Sequence, residues 1–152
     1  QVPLGRRFRS LKLWFVIRHF GVEGLRAIIR EHVRLAQLLR SWVEADPEWE
    51  VMAPTPLSLL CLRYRGRAPA VSRAEATGAS TDSTTPPATL DAINEAIMHR
   101  VNGSGKAFLT HTRVDGAFVM RVSIGALSVQ EAHVRALWAL LRESASAGTA
   151  TA

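Results

Sequence analysis

The stretch KAFLTHTRVDGAFVMRVSIG, residues 106–125, decides the fold class. On either side of Asp115-Gly116 apolar and polar residues alternate, the period of a strand with one buried face. Asp-Gly accepts the positive φ of a tight turn, so the two runs read as an antiparallel hairpin. Directly after it, Ser128 with Glu131 three residues on forms a capping box that opens a helix predicted to reach about Arg142. The residues beyond, ending in 147–152, read as a frayed tail. Before the hairpin, Leu90, Ile93, Ile97 and Val101 share one helix face, and Asn102-Gly103 ends that helix.

Further upstream, Trp49–Met52 and Leu57–Tyr64 read as strands, with Pro54 and Pro56 confining the connection to a turn. Residues 66–89 contain no Leu, Ile, Phe or Trp. Such a segment buries too little apolar surface to offset its ordering entropy and reads as a flexible loop. Ser10 is a candidate N-cap for a helix to about Phe20, where Gly21 stops or kinks it. From Val22 to Ala45 an apolar stripe of Leu25, Ile28, Ile29, Val33, Ala36, Leu39 and Val43 opposes a polar one. The order helix, helix, strand, strand, loop, helix, strand, strand, helix predicts an α+β module: an antiparallel sheet of about four strands with helices on one face.

The 152 residues suffice for one domain with a real core, and no apolar run approaches the length needed to span a bilayer. Cys61 is the single cysteine, which excludes an intramolecular disulfide and makes a reducing compartment the default. Its apolar neighbours read as those of a buried, inert thiol. Of the five histidines, none stands at metal-ligand spacing from another histidine or the cysteine. Neither a nucleophile elbow nor a phosphate-binding or dinucleotide-binding glycine motif occurs. Motif by motif, the chain looks like a binding or accessory domain rather than a whole enzyme.

The net charge of +6 is unevenly spread. Residues 1–40 carry nine basic side chains against Glu23 and Glu31, and the remaining residues sum to −1. The excess peaks in GRRFRSLK, residues 5–12. A twin-arginine export signal does not fit, because Arg18 and His19 cut the apolar stretch short and no small-residue cleavage site follows. Arginines interleaved with Phe8, Trp14 and Phe15 could contact phosphates and stack bases. A buried helix face explains the aromatics more economically. An active-site loop and a solvated terminus stay open on the residues alone.

The segments VPLGRRFRSLKLWFVIRHFGVEGLRAIIREHVRLAQ, DPEWEVM, LSLLCLRYRG, NGSGKAFLTHT, GAFVMRVSIGA and EAHVRALW together resemble the C-terminal part of aromatic-L-amino-acid decarboxylases. These are group II decarboxylases dependent on pyridoxal phosphate. The likeness covers nearly the whole chain and breaks at residues 67–89, where this sequence carries extra residues. It implies that residues 1–20 complete the large cofactor domain and its connecting helix. Residues 21–146 would then form the small C-terminal domain of a fold-type I enzyme, with an insertion at 66–89.

The resemblance implies pyridoxal 5'-phosphate as cofactor, a small amino-acid substrate, and a cytoplasmic homodimer that engages neither nucleic acid nor membrane. The Schiff-base lysine, the acid facing the pyridine nitrogen and the group stacked on its ring precede this segment in the family. Lys12 and Lys106 are the two lysines here, and Lys12 matches the family's ordinary helix lysine. The segment alone is therefore expected to be inactive. By position, Arg7 matches the arginine kept beside substrate and cofactor, and Gly5 a pocket position occupied by Gly or Ser. Arg6 and Arg9 could equally pair with acids of the large domain. The reading from another class is a stand-alone basic α+β binding module.

Overall fold

The computed structural model describes residues 10–66 and 87–149. Asp115 and Gly116 take φ values of 50° and 81°, the left-handed turn that their chemistry favours. They join β3 (Thr110–Val114) to β4 (Ala117–Ser123). β1 (Trp49–Val51) and β2 (Leu59–Tyr64) complete a four-stranded antiparallel sheet in the order β1-β2-β4-β3. Three helices accompany it among the described residues: α1 (Ser10–Ala45), α2 (Pro87–Gly103) and α3 (Glu131–Thr149).

Strand alternation sets the core. Leu60, Leu62 and Tyr64 of β2 and Phe118, Met120 and Val122 of β4 lie on one sheet face. They share a single cluster with Leu35, Leu39 and Val43 of α1, Ile97 and Val101 of α2, and Val134 and Leu141 of α3. The helices therefore cover that face, as the sequence predicts. Cys61 and Arg121 stand opposite each other on the other face, and Cys61 is half-buried rather than buried.

Several boundaries differ from the sequence reading, each for a local reason. α3 starts at Glu131, and Ser128 lies in the preceding turn instead of capping it. Gln130 takes the cap: its N–H donates to His133 Nδ1 at 3.1 Å, and its carbonyl accepts the His133 N–H at 3.0 Å. The His133 side chain thus reaches back to the cap N–H, one half of a capping box, two residues later than predicted. α3 also runs seven residues past Arg142, to Thr149, because Leu141, Ser144 and Ala145 are buried. Residues 147–149 are thus helical, and the rest of the predicted tail lies outside the described residues. α2 takes in residues 87–89, assigned above to the loop, with Pro87 at the first helical position. The remainder of that loop, 67–86, lies outside the described residues. In α1 the buried stripe is Leu35, Ala36, Leu39 and Val43, whereas Ile29, predicted to face inward, is 57% exposed.

The chain divides into two compact units, Gln1–Glu31 and His32–Ala152. In the second, α2 is fixed to the sheet by polar side chains that take over backbone pairing. The β2–β4 register ends at Leu62–Met120, so Tyr64 and Phe118 would form the next pair on the same face. They are parted. Tyr64 N–H donates to Asn94 Oδ1 and Tyr64 O accepts from Asn94 Nδ2, both at 2.8 Å. Phe118 N–H donates to Asp91 Oδ1 at 3.0 Å, and Phe118 O accepts from Arg63 Nη1 at 2.6 Å.

At the other end of α2, Asn102 repeats the device. It accepts the Leu109 N–H at 2.7 Å and donates to the Leu109 carbonyl at 3.0 Å. A primary amide offers the same donor and acceptor as a peptide unit, so each Asn stands in for a strand residue.

Asn94 is fully buried and also donates to Leu90 O at 2.8 Å. Asn94→Ala orphans both Tyr64 groups, and each buried unsatisfied group costs about 1–3 kcal/mol. The expected loss is roughly 3 kcal/mol, read as reduced protection of β2 and β4 amides against hydrogen exchange. Unchanged protection would mean that Asn94 does not hold this junction.

Asp91 is ringed by cations: Arg63 Nη1 at 2.7 Å and Arg113 Nη1 at 3.0 Å. Desolvation pushes its pKa up, but the Phe118 N–H, Arg63 and Arg113 outweigh it and hold it below the usual value. A depressed carboxylate contributes stability that is present above the unfolded pKa, about 3.9, and is lost as pH falls through the lower folded value. Acid unfolding followed by circular dichroism is therefore expected to be shallower below about pH 4 in Asp91→Asn than in the parent.

Candidate functional site

Gly5, Arg6, Arg7 and Arg9 lie outside the described residues, so the geometry begins at Ser10, the first residue of α1. From there the helix presents an unusual surface. Leu11, Leu13, Trp14, Phe15, Val16 and Ile17 are between 41% and 60% exposed. At 100° per residue this run circles the helix more than once, so no single amphipathic face is drawn. Ser10, Leu11, Leu13, Trp14 and Ile17 line one apolar hollow. The Arg18 guanidinium lies 5.6 Å from the centre of the Trp14 ring, within cation–π range.

Charge on the following turns is partly compensated. Arg26 pairs with Glu23 at 2.6 Å and Arg40 with Glu44 at 2.8 Å. In the second unit Arg34 reaches Glu131 at 3.4 Å. All of these pairs are solvent-exposed, and such pairs contribute little to stability.

A second concave surface lies between the end of α1, β1 and α3, with a volume of about 880 Å3. Its walls include Trp42, Trp49 and Trp138, with Trp49 and Trp138 packed edge to face at 5.3 Å. Its cations are engaged: Arg135 lies 4.9 Å from the centre of the Trp42 ring and pairs with Glu131, while Arg142 meets Asp46 at 3.4 Å. These contacts clamp α3 to the end of α1. The sequence reading passed over them, because they join residues roughly ninety positions apart.

The described residues do not by themselves fit pyridoxal phosphate. Lys12 lies exposed on α1, and Lys106 lies exposed in the bend before β3. A Schiff-base lysine needs a shielded pocket with an acid and a stacking group around the ring. Among the described residues, no group of three or more His, Cys, Asp or Glu side chains could hold a metal ion. No described helix is long and apolar enough to cross a membrane.

Comparison with known proteins gives these features their context. The described fold is that of the small domain of fold-type I pyridoxal-phosphate enzymes. It superposes on the crystal structure of Oryza sativa TDC with PLP and tryptamine with a TM-score of 0.78 and 37% identity, over 96% of this chain and 28% of that one. Residues 1–65 match the pyridoxal-dependent decarboxylase conserved domain. Tryptophan decarboxylase 2 of Oryza sativa subsp. japonica is 42% identical over 96% of this chain and 26% of its own. Aromatic-L-amino-acid decarboxylase of Sus scrofa is 39% identical over 93% and 24%, respectively. The chain belongs to the pyridoxal-dependent decarboxylase family and spans about a quarter of the length of the curated relatives it matches.

Contiguous exposed apolar area such as that from Leu11 to Ile17 drives association. Residues 1–152 alone are expected to self-associate in light scattering. Leu13, Phe15 and Ile17 replaced together by glutamate should shift the population toward monomer. A monodisperse monomer of the unaltered chain would count against a missing cover.

Proposed function

We propose that this chain is the C-terminal part of a pyridoxal-phosphate-dependent carboxy-lyase that releases CO2 from aromatic L-amino acids to give the amine. Supporting this reading is the match along nearly the whole chain to decarboxylases of tryptophan and of aromatic L-amino acids. In this proposal residues 1–20 complete the large domain and residues 21–146 form the small one. The cofactor supplies the electron sink that takes up the charge left by the departing carboxylate. Its lysine and ring partners belong to the remainder of the protein, so the segment alone is inactive.

Within the segment, Arg7 supplies a planar, permanently charged fork for the substrate carboxylate or the cofactor phosphate. Gly5 leaves room for the substrate ring. The apolar side chains from Leu11 to Ile17 are exposed around most of the helix, which fits cover from more than one side. The rest of the large domain and a second copy of the chain in a homodimer supply it. The compartment is the cytoplasm, consistent with the single cysteine.

The test uses the intact protein loaded with pyridoxal phosphate and offered tryptophan, tyrosine and DOPA, with CO2, amine and aldehyde measured separately. Amine in step with CO2 supports the decarboxylase; aldehyde in its place assigns an oxidising relative, and no turnover favours a non-catalytic binding module. Gly5→Ser removes about a methylene's worth of space, a change worth roughly 1–3 kcal/mol in selectivity. It is expected to shift kcat/KM away from tryptophan and toward tyrosine or DOPA. Arg7→Lys keeps the charge but loses the fork, and its cost is expected on all substrates alike. An equal loss on every substrate for Gly5→Ser, or a silent Arg7→Lys, would make this loop scaffold.

A further inference from the structure

Within Ser10–Ala45 one residue leaves helical geometry: Gly21, with φ 65° and ψ 175°. Residues on both sides of it are helical, so the change of direction is carried by a single pair of dihedrals. That combination of angles is open essentially to glycine alone. Space is not the reason for glycine here, since a Cβ built at Gly21 meets nothing within 4 Å. Three residues on, Gly24 is helical, and its Cβ would meet only the Phe20 Cβ at 3.5 Å, an ordinary contact. The two glycines thus offer the same chemical change with opposite conformational demands.

We propose that Gly21 is an obligatory elbow, a positioning residue that aims residues 10–20 relative to residues 22–31 and through them places Gly5 and Arg7. The proposal rests on the function proposed above. Residues 10–20 form a lever of about 16 Å at 1.5 Å per residue. Arg7 is three residues before Ser10, so its Cα stays within about 11 Å of that end at full extension. An L-residue at position 21 favours the continuous helix, which swings the lever and displaces Ser10, the residue to which the preceding segment is joined. Displacements of only about 1 Å at a reacting centre cost on the order of 100-fold in rate.

The test compares the intact protein with Gly21→Ala, Gly24→Ala and a semisynthetic form carrying D-alanine at position 21. For a D-residue φ 65°, ψ 175° is the mirror image of ordinary extended backbone, so it preserves the elbow. Gly24→Ala is expected within twofold of the parent in kcat/KM. Gly21→Ala is expected to lose about 100-fold, mostly in kcat, and D-alanine to restore activity to within a few-fold. A Gly21→Ala enzyme within twofold of the parent overturns the proposal, as does a D-alanine form as impaired as the L-alanine one. If Gly21→Ala does not fold, the D-alanine form alone decides by the same criterion. If the parent shows no decarboxylation, the functional reading fails, and the elbow is read from melting temperatures. A lower value for Gly21→Ala than for Gly24→Ala then supports it, and equal values overturn it.

Discussion

The second unit depends on a pairing that the sheet does not make with itself. Where β2 and β4 part beyond Leu62–Met120, Asn94 takes both backbone groups of Tyr64, and Asp91 with Arg63 takes both of Phe118. A buried peptide group without a partner is costly, so strands can part only where something supplies equivalent bonds. α2 supplies three of the four through Asp91 and Asn94, Arg63 of β2 supplies the fourth, and Asn102 does the same for Leu109 at the end of α2. These bonds fix the helix along and around its axis, which places Ile97 and Val101 over the sheet. Apolar packing alone tolerates sliding; directional hydrogen bonds do not.

The first unit is governed by the opposite condition. Between His32 and Ala45 the helix hides one stripe and shows the other to water, which a self-sufficient domain requires. Between Leu11 and Ile17 apolar side chains are exposed around most of the circumference, interrupted at Lys12. A helix of that kind is stable only when enclosed. The exposed apolar run lies on the N-terminal side of the Gly21 break.

How much of this was legible in the sequence follows the range of the interactions. The hairpin was legible because Asp115-Gly116 and strand alternation are local signals. Gly21 was legible as a break for the same reason, though not its angles. The α3 cap was misassigned because Ser128 and Glu131 matched a pattern that Gln130 and His133 satisfy in fact. Ile29 was placed inside because periodicity reports a stripe without saying where the covering surface ends. Asp91, Asn94 and Arg63 were not read as a junction at all, since nothing local marks an Asn that will replace a strand residue thirty positions away. Gly5 and Arg7 were reached only through resemblance, because a cluster of arginines in a sequence carries no local mark of what it binds.

That asymmetry has a physical origin. Catalysis with a bound cofactor concentrates groups from distant parts of a chain, whereas the folding of a small α+β unit is settled largely by near neighbours and one buried junction. Arg63, Asp91 and Arg113 are charged residues that tie the fold together through one another and the backbone at Phe118 and Gly116. By contrast, the run from Ser10 to Phe20 is made of side chains with little to hold them in place among the described residues. Exposed apolar side chains packed this densely favour association.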